Sequence, residues 1–587
     1  MDDLILRYYE SEMRYLREAG KEFAKIHPDR AGQLNLDRVG DRDPYVERLF
    51  EGFAFLTGRL RQKIDDDLPE LTESLVSLLW PHYLRLIPSL SIIELTPNYS
   101  TLSRLEMVPK GLQVQTEPLG PSGTRCQFRT TQQVTLQPVK INQVRLGVHQ
   151  DGRSIINIRL SFGELIDFEQ VDLSKLRLYL NADAPIASAL HHALTHQVSA
   201  IQLRYSNQPN EIVSFQGKIT PVGFSEDDRL WLKPDNAFAG YQLLLEYFAF
   251  REKFMFVDLH GLNIRNVPEG CEYIDIEIVL SQTWPNDMPF NKENIRLHCV
   301  PVINLFDMEA DPIIVNQLES EYLLRPLLRQ DGHIEIYSVE NVEAITRNGR
   351  YSYVPFTSFK HRGGMLRHDA PERYYHTHVR KGASGLHDTW LVLGGKIWDK
   401  GQSLETETLS LRVTGTNGML PRKTLSNARI ESLCSSQNSI SSVKNLCSPT
   451  LPCYPPTEDR FHWRVLSHLA PNYLSLINAE VLRGTLALYD WTENELNRRR
   501  LEGIVDVSHR MIKRIEKGML QRGIEIEVTI NSFQFTGEGD VMLFGELLHQ
   551  FFALYADVNI FTQLVINLLP VGNKIVWKQS KISKVAF

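Results

Sequence analysis

The sequence INIRLSF at residues 156–162 alternates apolar with polar side chains. The same alternation returns as LRLYL at 176–180, IDIEI at 274–278 and LSLRV at 409–413. Successive side chains of a β-strand point to opposite faces, so a period of two predicts strands with one buried face. The clusters of Gly, Pro and Asn between these stretches have the composition of turns. We therefore predict a β-rich body with two subdomains over residues 91–424.

The first 90 residues have the period of a helix. Apolar side chains at three- and four-residue steps predict one narrow stripe on each of two helices, as in coiled coils. The stripe residues are Leu6, Tyr9, Met13, Leu16, Val46, Leu49, Phe53 and Leu56. Pro44 suits the first turn of the second helix, and Pro81 removes a backbone donor where a third helix should stop. Three short helices bury little surface by themselves, so we expect residues 1–90 to form a helical bundle segment that partner chains complete.

The C-terminal part, residues 461–587, combines both periods after an initial return of helical spacing. The predicted elements are strands at 504–515, 524–530 and 561–569 and an apolar helix at 540–555. Together they predict a small α/β domain. Residues 425–460 are rich in Ser and Pro, which predicts an extended linker before this domain. The fold class predicted for the whole chain is α+β with several domains.

Composition excludes several classes of protein. At ~150 residues per domain, a chain of 587 residues has room for about four domains. The 64 Lys and Arg residues against 71 Asp and Glu give a net charge of −7, which disfavours binding to nucleic acid. No stretch approaches the ~20 apolar residues of a membrane-spanning helix, and the N-terminus lacks the features of a signal peptide. Six cysteines without a C-x-x-C pair favour a reducing compartment.

Two groups of histidines have the spacing of metal ligands. They are His191, His192 and His196 in a short helix predicted at 187–198, and His361, His376 and His378 in an Arg- and Tyr-rich stretch. Residues four apart on a helix, or two apart on a strand, place two imidazole rings on one face. Because neither group has an identifiable third ligand, we predict no metal site. We interpret the first group as a polar helix face and the second as part of a loop or interface rim.

No stretch completes a catalytic or nucleotide-binding motif. The GGK sequence at 394–396 lacks the preceding glycine and the following Ser or Thr of a phosphate-binding loop. The GEG sequence at 537–539 has Met542 at the third glycine position of a dinucleotide-binding loop, so we interpret it as a tight turn. We predict that the protein is not an enzyme and has no catalytic residue, cofactor or metal.

Basic residues make the C-terminal part locally positive. They are Arg498, Arg499, Arg500, Lys513, Arg514, Lys517 and Arg522. These residues are interpreted as an ordinary solvent-exposed face of the domain. The functional alternative is a surface complementary to an acidic protein partner. Nearby aromatic residues do not form the spaced array that stacks on single-stranded nucleic acid.

Stretches along the whole chain carry a resemblance to a known family. They are DPYVERLFEGFAFLTGRLRQKIDDDLPELTESLVSLLWPHYLRLIPSLSII at 43–93, EYFAFREKFMF at 246–256, NLF at 304–306 with PI at 312–313, EIYSV at 335–339, WRVLSHL at 463–469, RG at 522–523, LFG at 543–545, FF at 551–552, Tyr555 and NIFT at 559–562. In this order they resemble the TssF family, the baseplate wedge subunits of the bacterial type VI secretion system. Each motif alone is weak, but their joint order is specific.

The resemblance implies a structural subunit of the baseplate without catalytic activity. Two copies of such a subunit form a wedge with one smaller TssG-like subunit, and six wedges surround a VgrG-like spike hub. TssK-like adaptors connect the wedges to the membrane complex, and a sheath-initiating baseplate subunit is a further implied partner. The implied location is cytoplasmic, at the inner-membrane secretion complex, without direct membrane insertion or nucleic acid. We expect the stripe residues to form the partner interface. This expectation rests on the apolar stripes, since the family motifs do not indicate which residues contact a partner.

Two alternatives remain open at the level of the sequence. The first is a β-rich carbohydrate-active enzyme, because two carboxylates ~5 to 10 Å apart in a cleft suffice for glycoside hydrolysis. The second is a scaffold protein unrelated to secretion. Neighbouring genes for a contractile sheath, or for sugar utilisation, would distinguish the baseplate subunit from the enzyme.

Overall fold

The computed structural model describes residues 9–10, 13–14, 16, 45, 47–57, 76, 81–149, 151–163, 166–168, 170–231, 239–263, 267–268, 270–315, 319–327, 333–347, 349–356, 373–382, 386–394, 407–423, 428–435, 437–456, 478–516, 519–555 and 560–580. Residues 1–81 with 457–469 form one compact unit, and residues 82–456 with 470–587 form a second.

In the first unit the described residues of the two predicted N-terminal helices are helical. These are residues 9, 10, 13, 14 and 16 of the first helix, and residues 45 and 47–57 of the second. Met13 is 6% exposed, and Ala54 and Val76 are fully buried. Leu6 and Val46 lie outside the described residues, as does most of the third predicted helix.

The second unit is built mainly from antiparallel strands. Its strands up to residue 303 are β1 (Leu90–Pro97), β2 (Glu106–Val108), β3 (Gln113–Thr116), β4 (Gln127–Thr130), β5 (Val134–Leu136), β6 (Val139–Val148), β7 (Ser154–Phe162), β8 (Lys175–Leu180), β9 (Val198–Tyr205), β10 (Gln208–Phe215), β11 (Lys218–Pro221), β12 (Phe256–His260), β13 (Tyr273–Leu280), β14 (Ile295–Arg296) and β15 (Cys299–Ile303). The later strands are β16 (Phe306–Glu309), β17 (Ile313–Val315), β18 (Tyr322–Leu323), β19 (Glu335–Thr346), β20 (Gly349–Pro355), β21 (Tyr374–Lys381), β22 (His387–Gly394), β23 (Glu407–Thr416), β24 (Ile430–Leu433), β25 (Ile440–Asn445), β26 (Ile504–Glu516), β27 (Met519–Asn531), β28 (Ile560–Leu569) and β29 (Asn573–Val576).

Helices connect or cover these strands. The α-helices are α1 (Ala184–His196), α2 (Ala239–Ala249), α3 (Leu420–Lys423), α4 (Ala479–Ala487), α5 (Glu495–Glu502) and α6 (Glu538–Tyr555), and short 3₁₀ turns lie at Pro81–Leu84, Glu226–Asp228, Arg251–Phe254, Lys292–Asn294 and Ser532–Gln534. The fold therefore combines helices with a strand-rich body, as the sequence predicts. α1 corresponds to the helix predicted at 187–198.

The alternating stretches pair with one another. β7 and β13 are neighbours in the sheet β10-β9-β13-β7-β6, where Ile158 lies opposite Ile276 and both are 1% exposed. On the other face, Arg159 forms an ion pair with Asp275 at 2.7 Å. β8 lies in the sheet β11-β12-β8-β14, and β23 in the sheet β16-β23-β19-β20-β21-β22-β18, with β17 also paired to β23. Each alternating stretch forms a strand as predicted, but β13 is buried on both faces instead of one.

The structure differs from the linker predicted at 425–460. β24 and β25 are the edge strands of the sheet β24-β3-β4-β15-β1-β25. Ile430, Ile440 and Val443 belong to its hydrophobic core. Ser435, Ser441 and Ser442 are exposed, whereas Ser439 is buried, so the serine-rich composition concealed two strands. Their partners, β3 and β1, lie more than 300 residues earlier in the chain.

The C-terminal strands form the sheet β26-β27-β28-β29. β27 and β28 run parallel, with α6 between them in the chain, and α6 packs on β28. The strands and the helix predicted for this region are confirmed. This sheet belongs to the same compact unit as the β-rich body, because α6 also packs against α1 and α2.

Candidate partner interface

The histidines of α1 lie at the contact between α1 and α6. His191 is 2% exposed and His192 is 9% exposed, and His192 Nε2 is 3.9 Å from Glu538 Oε1 on α6. The rings of His192 and His196 have centroids 5.5 Å apart. Among the described residues, no three His, Cys, Asp or Glu side chains are grouped so that they could hold a metal ion. The first two histidines are therefore part of a buried helix contact instead of a polar helix face.

Burial controls the charge of this histidine group. It lowers the pKa of His191 to about 3, and the nearby His196, His192 and Arg251 act in the same direction. It also lowers the pKa of His192 to about 4, with His196 as the second cause. Both imidazoles are therefore neutral in the folded protein at neutral pH.

We expect this burial to make the protein less stable in mild acid. In the unfolded chain a histidine gains its proton near pH 6.5, whereas folded His191 stays neutral down to about pH 3. The unfolded state therefore binds more protons in this window, and the free energy of unfolding falls as the pH falls. From pH 6.5 to 5, the wild type should lose about 1.6 kcal/mol more than His191→Gln. Urea unfolding at both pH values measures this, and equal losses in the two proteins would contradict it.

The second histidine pair lies on β21. The rings of His376 and His378 are in edge contact, with centroids 4.6 Å apart, as expected for residues two apart on a strand. Burial lowers the pKa of His376 to about 4, and His378 adds to the effect. His361 lies outside the described residues.

The GEG sequence permits a close helix contact. A Cβ atom at Gly539 would overlap the backbone carbonyl of Ser188 on α1. Any larger residue at position 539 would push α6 away from α1. Gly539 therefore serves the packing of two helices, and the acidic side chains on both sides of it disfavour a phosphate.

The next residue, Asp540, holds together three parts of the unit. Its carboxylate is fully buried and accepts hydrogen bonds from Arg500 Nε at 3.1 Å and from Thr536 N and Oγ1 at 3.1 and 3.0 Å. Arg251, in the turn after α2, forms a further ion pair with it. Arg500 is 4% exposed and also donates to Asn497 Oδ1 at 2.9 Å. A buried charge needs such partners, because leaving one unpaired costs several kcal/mol.

Ion pairs within the chain account for all three arginines of the basic run at 498–500. Arg500 points into the unit, while Arg499 and Arg498 form ion pairs with Glu495 at 2.6 Å and Glu502 at 3.5 Å, one helical turn away. The run is therefore largely neutralised within α5. It does not form the continuous basic surface that the sequence allowed.

A second buried ion pair joins α2 to the turn that follows it. Glu246 and Lys253 are each 1% exposed and form an ion pair. Glu246 Oε1 also accepts from Leu230 N at 3.0 Å and from Gln242 Nε2 at 2.9 Å. Both charges lie in the EYFAFREKFMF stretch, where Lys253 Nζ is 5.0 Å from the centre of the Phe254 ring. Sequence reasoning missed these roles, although charges inside an otherwise apolar run were a usable signal.

Another of the quoted stretches also has a structural explanation. Asn304 is fully buried, and its side chain donates to Gln127 O at 2.7 Å and to Asn417 Oδ1 at 2.9 Å. Its Oδ1 accepts from Thr416 Oγ1 at 2.8 Å and from Asn417 N at 2.7 Å. This amide therefore connects β4, the end of β15 and the end of β23.

The predicted stripe residues divide into buried and exposed sets. On the first helix Met13 is buried, and Tyr9 and Leu16 are half-buried. On the second helix Leu49, Phe53 and Leu56 are 71%, 54% and 66% exposed. These three residues, four and three positions apart, follow one side of the helix, and we call them the exposed helical stripe. Contiguous apolar surface of this kind marks interaction sites in soluble proteins.

None of the helices that the structure describes is both long enough and apolar enough to cross a membrane.

Comparison with known proteins gives concordant matches over almost the whole chain. The sequence model of the family described as "Type VI secretion system, TssF" matches residues 1–583. The type VI secretion system component TssF1 of Pseudomonas aeruginosa is 28% identical over 627 aligned positions, which cover 98% of each chain.

Two solved structures are also similar. A chain of the TssK-TssF-TssG baseplate subcomplex of a type VI secretion system, determined by cryo-electron microscopy, is 56% identical with a TM-score of 0.82, over 92% of this chain and 99% of that chain. A chain of a type VI secretion system baseplate complex is 54% identical with a TM-score of 0.68, over 99% of this chain and 100% of that chain.

Proposed function

Because this chain belongs to the TssF family of the type VI secretion system, we propose that it forms a wedge of the baseplate and supports assembly of the contractile sheath for effector injection. The observation that carries this proposal is the 56% identity, over 92% of the chain, to a chain of the TssK-TssF-TssG baseplate subcomplex. At this identity the fold and the assembly contacts are expected to be shared.

The partners follow from the same similarity. A TssG-like smaller subunit and a TssK-like adaptor are the partners named with the similar structure. The proposal adds a second copy of this chain, a VgrG-like spike hub and a sheath-initiating subunit. It places the protein in the cytoplasm, recruited to the inner-membrane secretion complex. The role is structural instead of catalytic, and the comparisons do not support a carbohydrate-active enzyme or an unrelated scaffold.

The contact with the smaller subunit is proposed to use the N-terminal helices. Residues 1–90 are proposed to act as a helical bundle segment, while the body at 91–424 and the C-terminal α/β sheet belong to one compact unit. In this arrangement the exposed helical stripe enters a bundle with the partner, and Met13 supports it from within the chain. The exposure of Leu49, Phe53 and Leu56 supports this choice, since burying an apolar side chain contributes roughly 1.5–3 kcal/mol.

We expect Leu49→Asp and Phe53→Asp each to weaken binding of the smaller subunit without unfolding the chain. Both side chains are exposed, so the change should alter the stability of the chain by less than about 0.5 kcal/mol. Loss of one buried apolar contact at the interface should weaken binding by roughly 1.5–3 kcal/mol, or ~10- to 100-fold. Titration of the purified chain with the co-expressed smaller subunit measures this.

Arg48→Gln is the matched control, because Arg48 is exposed on the same helix and its replacement lowers the net charge by one unit, as each Asp variant does. It should leave binding unchanged. If both Asp variants bind as well as the control, the exposed helical stripe is not the interface. If the smaller subunit does not bind the wild type at all, the wedge proposal itself is wrong.

A further inference from the structure

The hairpin β26–β27 extends beyond the helix that covers the rest of its sheet. Beneath α6, Ile526 and Val528 on β27 are 1% and 0% exposed. Farther along the hairpin, Met511 lies opposite Ile524, and Ile515 lies opposite Leu520. Opposed residues share a face, so these side chains continue the face on which α6 lies. The outcome is an uncovered apolar surface. Met511, Ile515 and Leu520 are 70%, 74% and 62% exposed.

Two exposed cations lie directly opposite each other on this face. Lys513 pairs with Arg522 across the hairpin, between the two apolar pairs. Within the described part of the chain neither has an ion-pair or hydrogen-bond partner, whereas Arg510 on the other face binds Glu525. Like charges directly opposite each other destabilise a hairpin, and an acidic group placed between them would remove that cost. The residues that we call the hairpin patch are Met511, Lys513, Ile515, Leu520 and Arg522.

The dimensions of the hairpin patch fit a helix. Met511, Lys513 and Ile515 are successive residues on this face, so they lie about 6.8 Å apart along the strand. Residues four apart on an α-helix are separated by about 6 Å. A helix ~10 Å wide covers about two strands that are ~4.8 Å apart. α4 and α5 pack on β26, where Ile504 and Val507 are buried, so room for a further helix remains only at the far end of the hairpin, over Met511 to Ile515. The outer edge of β26 has no paired strand in the described part of the chain.

We propose that the hairpin patch binds an amphipathic helix of another protein, in which one acidic residue lies between apolar residues one turn before and after it. The acid sits between Lys513 and Arg522. The apolar residues cover Met511 on one side and the pair of Ile515 and Leu520 on the other. This inference stands on the geometry of the hairpin and not on the baseplate assignment.

Site-specific photo-cross-linking identifies the occupant. The photoreactive residue p-benzoylphenylalanine replaces Ile515 in the full-length tagged chain, and complexes are purified from irradiated cells. Because Ile515 is exposed, the replacement leaves the fold intact. Mass spectrometry should find one cross-linked segment in another protein, helical, with an acid flanked by apolar residues four positions away. Cross-links to this chain, to a second copy of it or to a segment without that pattern would overturn the proposal, as would the absence of cross-links.

Charge reversal tests the electrostatic part. Lys513→Glu with Arg522→Glu should reduce co-purification of the cross-linked protein by about tenfold or more. Arg145→Glu with Lys218→Glu is the matched control, since it makes the same charge change at exposed residues of β6 and β11, away from the hairpin. Replacing the partner's central acid with Lys should restore binding to the first variant. Equal co-purification with both double variants, at unchanged thermal stability, would overturn the proposal.

Discussion

Asp540→Ala is expected to lower the free energy of unfolding of the chain by about 3–5 kcal/mol, because it leaves the guanidinium groups of the buried Arg500 and the half-buried Arg251 without their carboxylate. Arg500 and Arg251 both bind this carboxylate, and it is fully shielded from water. The loss of structure should be greatest at the contacts of α6 with α5 and with the turn after α2. Urea unfolding of the full chain, followed by tryptophan fluorescence, measures the change.

The control for this prediction lies two residues away. Glu538 is in the same helical turn and is 57% exposed, so Glu538→Ala should change the stability by less than about 0.5 kcal/mol. Asp540→Asn separates charge from hydrogen bonding, because an amide oxygen still accepts from Thr536 but does not neutralise the arginines. It should remain strongly destabilising. If Asp540→Ala resembles Glu538→Ala, the buried network contributes nothing to stability.

Lys253→Met is the second change with a large expected effect. Methionine fills a similar volume, but it leaves the carboxylate of Glu246 buried without a cation, which should cost about 3–5 kcal/mol. Lys218→Met is the matched control, since Lys218 is exposed on β11. Unfolding midpoints of the two variants, measured with the same denaturant, give the comparison.

A compensating change distinguishes the ion pair from simple packing. Adding Glu246→Gln to Lys253→Met removes the unpaired charge but keeps an oxygen that accepts from Leu230 N and Gln242. The double variant should therefore be more stable than Lys253→Met alone by about 1–3 kcal/mol. If the second change destabilises the protein further, the cost of Lys253→Met comes from packing and not from the buried charge.

The periodicity of the sequence correctly predicted most of the strands and helices of the second unit for which it was used. The strand predicted at 504–515 is Ile504–Glu516, and the helix predicted at 540–555 is Glu538–Tyr555. Both elements are long, with 13 and 18 residues. The strands at 430–433 and 440–445 were missed because they are short and rich in serine. Burial of only a few side chains, such as Ile430 and Val443, decided their structure.

The candidate sites show a different limit. The spacing of His376 and His378 correctly placed two rings on one face, but no spacing could tell that α6 would bury His191 and His192. The stripe residues are a similar case, because Met13 and Phe53 occupy equivalent positions in the pattern. Only the structure separates the buried Met13 from the exposed Phe53.

The sequence by itself determined the periods of the strands and helices, the strand-rich character of the body and the membership of the TssF family. These properties depend on neighbouring residues or on motifs in a fixed order. The tertiary structure decided that Arg500 binds Asp540 within the unit while Lys513 and Arg522 remain exposed, and that β25 pairs with β1. Such pairings join residues tens to hundreds of positions apart. A repeating sequence pattern indicates which side of a strand or helix is apolar. The tertiary fold determines which residues pack against that side.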